Sequence, residues 1–320
     1  MNPANFADRV AAAVAAKASC LVVGLDPVVE SLPGEVHARI RGSVGDPGWT
    51  AHAAAAVGVF LGEVIERVAP HAVAVKPNVA FFERLGAAGW DCLLRLCQIA
   101  RDRGLQVIVD AKRGDVGHTA EAYADAFLGD VPDTLGPVTD AVTVNPYLGR
   151  DGLSPFLERV KAGGRGLFVL VRTSNPSAAE IQDLRLQGGQ GEDGEAVYER
   201  VARLVRDWGE GLDGASGLNP VGAVVGATAP EAAARIRELL KGRLLLVPGF
   251  GAQGGRAEAL RPLFRAGGRG VLVNASRSIL NAHQHAPGPW VEAVESAAAA
   301  ARQALEAIRE GSDLDPGVRP

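Results

Sequence analysis

The sequence is poor in the features that mark secreted, membrane-bound and nucleic-acid-binding proteins. Its 320 residues include only three cysteines, with no CxxC pair and no metal-like spacing to histidine, so neither disulfides nor a metal site is expected. The formal net charge of −4 offers no basic surface for nucleic acid or anionic lipid. No apolar run approaches the length of a membrane span, and the start of the chain lacks the basic segment of a signal peptide. We therefore expect a cytoplasmic protein without membrane or nucleic-acid partners.

What the chain does contain is a series of eight short apolar runs, each ending in polar or glycine-rich residues. Nearly all are uniformly apolar, as is typical of parallel strands covered on both faces, and helical segments separate them. The runs lie at 20–26, 72–78, 106–112, 141–147, 166–174, 221–228, 244–251 and 270–278. This repetition predicts an α/β fold, a single (β/α)8 TIM barrel spanning residues 1–320. The alternative, an open doubly wound sheet, would need a glycine-rich fingerprint after the first strand, and GLDP is not one.

Several segments lie outside the simple repeat. Residues 5–18 have helical periodicity with Asn5 as a plausible N-cap, and we expect this helix to close one end of the barrel. The intervals 27–50 and 185–220 are too long for an ordinary βα connection and are predicted to be insertions. A helix over 289–309 should end the fold, and we expect the tail 311–320 to be frayed.

The stretch QVIVDAKRGDVGHTAE, residues 106–121, concentrates charge where a strand ends and a helix begins. The two-residue period of a strand places Asp110 and Lys112 on one face. Asp115 and Thr119 are four residues apart, which predicts that they share a face of the first helical turn. An ordinary surface ion pair is one interpretation, but these charges follow directly from a buried strand. We therefore favour a catalytic strand end.

Polar side chains end the other runs as well. In a barrel the carboxyl ends of the strands meet at one mouth, so these residues are expected to lie close together. They are Asp26, Lys76, Asp110, Lys112, Asp115, Asn145, Ser174, Thr228, Gln253 and Arg277. The last two strands, followed by PGFGAQGG and NASRS, predict a phosphate site at Gln253 and Arg277, because glycine turns expose backbone N–H groups and arginine pairs with phosphate.

With the motifs DAKRGDVGHTAEAYA, LVVGLDP, VKPN, VRTSNPS, PGFGAQGG and NASRSI in this order, the chain resembles the orotidine 5′-phosphate decarboxylase family. The resemblance runs from about Phe6 to Leu280, and the longer segments between strands are similar to the family's longer second type. It implies a homodimer with shared active sites that converts orotidine 5′-phosphate to UMP without a metal or other cofactor.

The resemblance also implies roles for individual residues. Lys76, Asp110, Lys112 and Asp115 would form an alternating charged network, with Asp115 reaching into the neighbouring subunit's site. The expected substrate-binding residues are Asp26 and Thr119 for the ribose, the latter across the dimer, Ser174 for the pyrimidine, Gln253 and Arg277 for the phosphate, and Asn145 at its strand end.

Two other functions stay open at this point. One is a barrel of the same group that acts on a keto-sugar phosphate through a Mg²⁺-stabilised enediolate; it would need an acidic metal ligand where this chain has Lys76. The other is a catalytically silent nucleotide-binding barrel. The intact DAKRGD sequence favours an active decarboxylase over both.

Overall fold

The computed structural model describes residues 5–129, 139–187, 194–226, 230–250, 257–265 and 268–311. Eight strands form a closed, parallel barrel in which each pairs with the next along the chain and the last returns to the first. They are β1 Leu21–Leu25, β2 Ala74–Pro77, β3 Gln106–Arg113, β4 Ala141–Val144, β5 Gly166–Arg172, β6 Asn219–Val225, β7 Arg243–Pro248 and β8 Val271–Ala275. The predicted (β/α)8 barrel is confirmed.

Helices cover the outside of the barrel and separate consecutive strands. They are α1 Phe6–Lys17, α2 Gly34–His37, α3 Trp49–Val68, α4 Val79–Glu83, α5 Gly86–Asp102, α6 Gly117–Leu128, α7 Arg150–Ala162, α8 Val197–Trp208, α9 Pro230–Leu239, α10 Arg277–Leu280 and α11 Trp290–Gly311. Short 3₁₀ helices lie at Val29–Ser31, Pro176–Glu180, Ala257–Leu263 and Ala282–Gln284. Within the described ranges, no helix is long and apolar enough to cross a membrane.

Strand alternation divides the apolar residues into two cores. Side chains such as Ile108, Phe168 and Leu272 fill the barrel interior, while the opposite strand faces pack against the surrounding helices. Every residue of β1, β2, β4, β6 and β8 is buried, which explains the mainly apolar sequence of these runs.

Helix α1 closes the amino-terminal end of the barrel. Asn5 caps it by accepting a hydrogen bond from the N–H of Ala7, as expected from the sequence. The ring of Phe6 is fully buried and packs edge-on against Phe168 inside the barrel, 6.1 Å between centroids. Arg9 adds an ion pair to Asp140 at 2.7 Å. The amino-terminal end of the barrel, which we call its base, is therefore closed by packed side chains.

The two intervals predicted as insertions differ in content. Residues 27–50 add a 3₁₀ helix and α2, and Glu35 of α2 accepts a hydrogen bond of 2.6 Å from the indole of Trp290. The interval 185–220 contains α8 and the first residues of β6, so only part of it is additional to the barrel. Its glycine-rich flanks suggested a loop, but Ala202 and Val205 of α8 are fully buried, and the helix packs on β5 and β6. Most of the tail 311–320 lies outside the described residues.

Candidate active site

The carboxyl ends of β2 and β3 bring two lysines to one carboxylate. Lys76 Nζ lies 2.6 Å from Asp110 Oδ2, and Lys112 Nζ lies 2.6 Å from Asp110 Oδ1. Adjacent parallel strands place Lys76 beside Asp110, and the same-face prediction for Asp110 and Lys112 is confirmed. The result is a continuous lysine–aspartate–lysine chain, which we call the charged triad.

Burial is unequal within the charged triad. The side chains of Lys76 and Asp110 are 6% and 9% exposed, whereas that of Lys112 is 46% exposed. Burial alone lowers the pKa of Lys76, but the charges of Asp110 and Asp26 outweigh it and hold the pKa above its ordinary value. Burial raises the pKa of Asp110, yet the two ammonium groups dominate and leave it well below the ordinary range. Asp110 is therefore ionised, and Lys76 is a fixed positive charge.

Lys112 has an unusual backbone conformation. Its φ of 47° lies in the left-handed region, which costs a non-glycine residue about 1–2 kcal/mol. The pairing of β3 with β4 shifts register between Val109 and Arg113, so Lys112 lies in a bulge and not in a regular ladder. Its N–H donates to Thr143 Oγ1 at 3.0 Å, and that hydroxyl donates to Asp110 Oδ1 at 2.9 Å.

Asp26, at the end of β1, lies on the neighbouring side of Lys76 and contributes to its raised pKa. Asp26 Oδ2 accepts a hydrogen bond of 2.6 Å from Ser276 Oγ, while Oδ1 is buried without a protein partner. Gly24 is required here, because a Cβ atom at that position would lie 2.7 Å from the Cβ of Ser276. The site thus holds one buried carboxylate oxygen available to a ligand donor.

A cavity of about 450 Å³ opens beside the charged triad. Lys76, Asp110, Lys112 and Thr143 line one part of it, and Ser174 lies on the wall formed by the β5 loop. Its apolar lining is Leu170, Val224, Leu246 and Pro248. Charged groups on one side and apolar side chains on the other suit a planar heterocycle that carries a reacting polar substituent.

The β5 loop that carries Ser174 is tied down on both sides of it. Arg172 forms a two-pronged ion pair with Asp183, at 2.8 and 2.9 Å. The amide of Gln182 accepts from the N–H of Thr173 and donates to its hydroxyl, both at 2.8 Å. The two residues before Ser174 are therefore held by side chains that lie 11 and 9 residues further along the chain, and these bonds fix Ser174 at the cavity wall.

Other predicted site residues lie apart from the cavity lining. Asp115 and Thr119 are half-buried, and Asn145 and Arg277 are exposed. The amide oxygen of Asn145 accepts from the N–H of Tyr147, so it stabilises the turn after β4. Arg277 is the first residue of α10 after β8. Gln253 and Thr228 lie outside the described residues.

The expectation that Asp115 and Thr119 share the first helical turn is wrong. Helix α6 begins at Gly117, whose φ of 56° turns the chain into the helix. Asp115 lies before it, and its carboxylate accepts from the N–H of Val116 at 2.8 Å. Among the described residues Asp115 forms no ion pair, so it is not part of the charged triad.

Sequence reasoning missed three polar residues of this mouth. Thr143 lies within the apolar AVTVNPY run, Gln182 is in the β5 loop, and Asn274 follows Leu272 by two residues on β8. Asn274 is 4% exposed, and its Oδ1 is buried without a protein partner. A polar residue inside an otherwise apolar strand was the available signal for Thr143 and Asn274. Among the described residues, no group of three His, Cys, Asp or Glu side chains could hold a metal ion.

The fold and the charged cavity define a (β/α)8-barrel enzyme with a lysine–aspartate–lysine centre. A family model described as "Orotidine 5′-phosphate decarboxylase / HUMPS family" matches residues 51–287. The chain belongs to that family, and the resemblance noted from its motifs is confirmed.

Named relatives agree with this assignment. Orotidine 5′-phosphate decarboxylase of Rhodopirellula baltica is 44% identical over 88% of this chain and 89% of that protein. That of Roseiflexus castenholzii is 40% identical over 96% of both chains. The solved structure of Leishmania donovani OMP decarboxylase superposes with a TM-score of 0.71 at 33% identity, covering 96% of this chain and 99% of that one.

Proposed function

We propose that this protein converts orotidine 5′-phosphate to UMP and CO2 in pyrimidine nucleotide biosynthesis, without a metal or other cofactor. The observation that carries the proposal is the charged triad, Lys76–Asp110–Lys112, at the wall of a cavity of about 450 Å³. The names of the relatives support the same reaction. The site of the reaction would be the cytoplasm, in keeping with three buried free cysteines.

The chemistry requires an electrostatic solution. When the bond between C6 and the carboxylate breaks, its electron pair stays on C6, and no adjacent carbonyl or cofactor accepts it. Lys112 Nζ supplies a positive charge beside that carbon and then transfers a proton to it, which completes UMP. A preorganised ammonium in a partly dry cavity stabilises developing negative charge much more strongly than water does.

Asp110 has two functions in this scheme. It holds both ammonium groups at 2.6 Å, and its own charge lies where the carboxylate of the substrate would be placed. Like charges at short range disfavour the bound substrate relative to the transition state, in which the carboxylate charge has departed as CO2. Lys76, buried beside Asp110, helps to keep that carboxylate ionised.

The substrate-binding roles follow from position and free hydrogen-bonding capacity. Asp26 Oδ1, buried without a protein partner, is suited to accept from a ribose hydroxyl. Ser174 at the cavity wall would contact the pyrimidine. Arg277 with Gln253 would bind the phosphate, and Thr119 would contact the ribose across a dimer. Asn145 would contribute by stabilising the turn after β4 at the mouth of the barrel. That the chain is of the family's longer second type also stays a prediction.

A homodimer with shared sites is part of the proposal. Val116, Tyr147 and Leu148 are 48%, 84% and 46% exposed, an unusual apolar surface for the loops after β3 and β4. Leu148 lies beside Asp115, since both are within 3.3 Å of the position a Cβ on Gly152 would take. A second copy seated on this surface would cover it and would receive Asp115 next to its own charged triad.

The keto-sugar phosphate enzyme is disfavoured by Lys76. A Mg²⁺ site needs oxygen ligands, whereas the end of β2 presents a buried ammonium that is already paired with Asp110. A silent nucleotide-binding barrel would not need the three charged groups to be held at such short distances. The family includes both orotidine 5′-phosphate decarboxylases and HUMPS proteins. The charged triad is therefore the observation that favours decarboxylation of orotidine 5′-phosphate.

The test is the loss of orotidine 5′-phosphate absorbance on addition of purified, EDTA-treated protein. Rapid formation of UMP is expected. Turnover that appears only after Mg²⁺ is restored would contradict the metal-free reaction. A protein that binds UMP and 6-substituted analogues without turnover would be the silent nucleotide binder, and one that neither binds nor reacts would return the keto-sugar phosphate reaction to consideration.

A further inference from the structure

Thr143 occupies a special place in the barrel, opposite the bulge of β3. The ladder between β3 and β4 pairs Val109 with Val142 and Arg113 with Val144. Between these pairs β3 has residues 110–112, while β4 has only Thr143. The backbone of β4 therefore cannot satisfy all of the polar groups of the bulge, and a side chain has to replace a missing ladder bond.

The hydroxyl of Thr143 replaces the missing ladder bond and acts as both hydrogen-bond acceptor and donor. It accepts from the N–H of Lys112 at 3.0 Å and donates to Asp110 Oδ1 at 2.9 Å. Neither direction can reverse, because a backbone N–H only donates and an ionised carboxylate only accepts. Thr143 is 1% exposed, and its bond to Asp110 is buried.

These two bonds act on the two groups that matter most in the proposed reaction. One fixes the left-handed backbone of Lys112, whose φ of 47° is unfavourable for a residue with a side chain. The other fixes the carboxylate oxygen that Lys112 Nζ contacts at 2.6 Å. The same hydroxyl thus fixes both the backbone from which the Lys112 side chain extends and the carboxylate that holds its ammonium group.

We infer that Thr143 is a positioning residue for decarboxylation, acting through Lys112 and Asp110 by its hydroxyl group. The inference rests on the proposed function and deepens it. Because the hydroxyl acts on the geometry of the proton donor, its loss affects the chemical step more than substrate binding.

The experiment compares Thr143→Val, which removes the hydroxyl at nearly constant shape, with Thr143→Ser, which keeps it. Thr143→Val is expected to lower kcat about 10- to 100-fold with KM changed less than about 3-fold, because the N–H of Lys112 and Oδ1 of Asp110 both lose this partner in the reacting geometry. Thr143→Ser is expected to stay within about 3-fold of the wild type. A purely structural role would lower the urea midpoint without this split between kcat and KM.

A matched control exists at the opposite end of the same strand. Thr139 is also 1% exposed, precedes β4, and its hydroxyl donates to the carbonyl of Phe127. Thr139→Val removes a buried hydroxyl far from the charged triad and should leave kcat within about 2-fold. If Thr143→Val does not fold, Thr143→Ser and Thr143→Ala make the same comparison with smaller side chains.

The experiment distinguishes failure of the inference about Thr143 from failure of the proposed function. An active wild type whose Thr143→Val variant keeps near-normal kcat, or whose Thr143→Ser variant is equally impaired, overturns the inference and leaves the proposed function intact. A wild type that does not turn over orotidine 5′-phosphate overturns the proposed function, and the inference with it.

Discussion

Lys76 and Lys112 share the carboxylate of Asp110 but differ in freedom to move. Lys76 is buried and paired, so its charge is fixed in the barrel, whereas nearly half of the Lys112 side chain is exposed. A proton donor needs access to the substrate and to a source of protons after each turnover, and only Lys112 has that access. Lys76 is suited to hold Asp110 in place.

Replacement of Lys112 by alanine tests this division. Lys112→Ala should abolish decarboxylation, because the ammonium that stabilises and protonates C6 is gone, while UMP binding measured by calorimetry largely survives. Lys161→Ala, which removes an exposed lysine of α7, is the control and should remain fully active. Turnover of Lys112→Ala near the wild-type rate would show that another group donates the proton.

The shifted pKa of Asp110 predicts how its contribution to stability depends on pH. Its pKa in the folded protein lies below the unfolded value of about 3.9, so the carboxylate stabilises the fold above that pH. This contribution is lost progressively as the pH falls from about 4 down through the lower pKa of the folded protein, because the unfolded chain takes up the proton first.

Urea unfolding should therefore show wild type more stable than Asp110→Asn near neutral pH, with the difference shrinking as the medium is acidified below about pH 4. Asp207→Asn, at a half-exposed surface carboxylate, provides the comparison and should show little difference at either pH. A gap for Asp110→Asn that stays constant with pH would contradict the assignment of Asp110 as a stabilising ion.

Among the elements, α1 and the β5 loop lie at opposite ends of the barrel and have different functions. Helix α1 packs Phe6 and Val10 into the base, far from the charged triad. The β5 loop places Ser174 at the mouth, and two sets of side-chain bonds hold it. Stability and catalysis are thus separated along the barrel axis, as is usual for this fold.

This separation predicts the effect of a change in α1. Val10 is 2% exposed, so Val10→Ala should reduce the free energy of unfolding by about 2 kcal/mol through lost burial and the cavity left behind. The kcat of the folded enzyme should not change. Val59→Ala makes the same substitution at a position of α3 that is 44% exposed, and should cost about 0.5 kcal/mol or less.

Equal losses from the two valine variants in denaturant unfolding would show that α1 does not form part of the core. A fall in kcat for Val10→Ala at full folding would instead show that the base of the barrel is coupled to the mouth.

At the scale of the whole molecule, the proposed homodimer depends on the position of Asp115. Within one chain it lies before α6, its carboxylate accepts from the adjacent N–H of Val116, and the exposed apolar residues Val116 and Leu148 lie beside it. A shared site would use it from the neighbouring subunit, in agreement with the proposed homodimer.

Mixing two inactive variants tests this arrangement. Asp110→Ala and Asp115→Ala chains should each be inactive, and together they should recover about a quarter of the wild-type activity, because half of randomly mixed dimers are hybrids with one intact site. Exchange of subunits would be verified with tagged chains. No recovery after verified exchange would mean that each chain uses its own Asp115.

The amino-acid sequence by itself determined the barrel and indicated four residues of the cavity lining, Lys76, Asp110, Lys112 and Ser174. Uniform apolar runs specify strands covered on both faces, and their regular alternation with helical segments specifies a closed parallel array. The two-residue spacing of Asp110 and Lys112 indicated that they would lie close together, although the bulge at Lys112 replaces the regular pleat on which that prediction was based. Asn5 was predictable as the N-cap of α1, because a cap depends only on residues adjacent in the sequence.

Only the tertiary structure decided which residues from different strands meet. The bond from Lys76 to Asp110 joins residues 34 apart, and that from Thr143 to Asp110 joins residues 33 apart. The bulge at Lys112, the start of α6 at Gly117 and the helix within 185–220 likewise depend on packing against neighbouring elements. Sequence periodicity reports contacts within one element, whereas these features follow from the closure of eight strands around one axis, which places distant residues side by side.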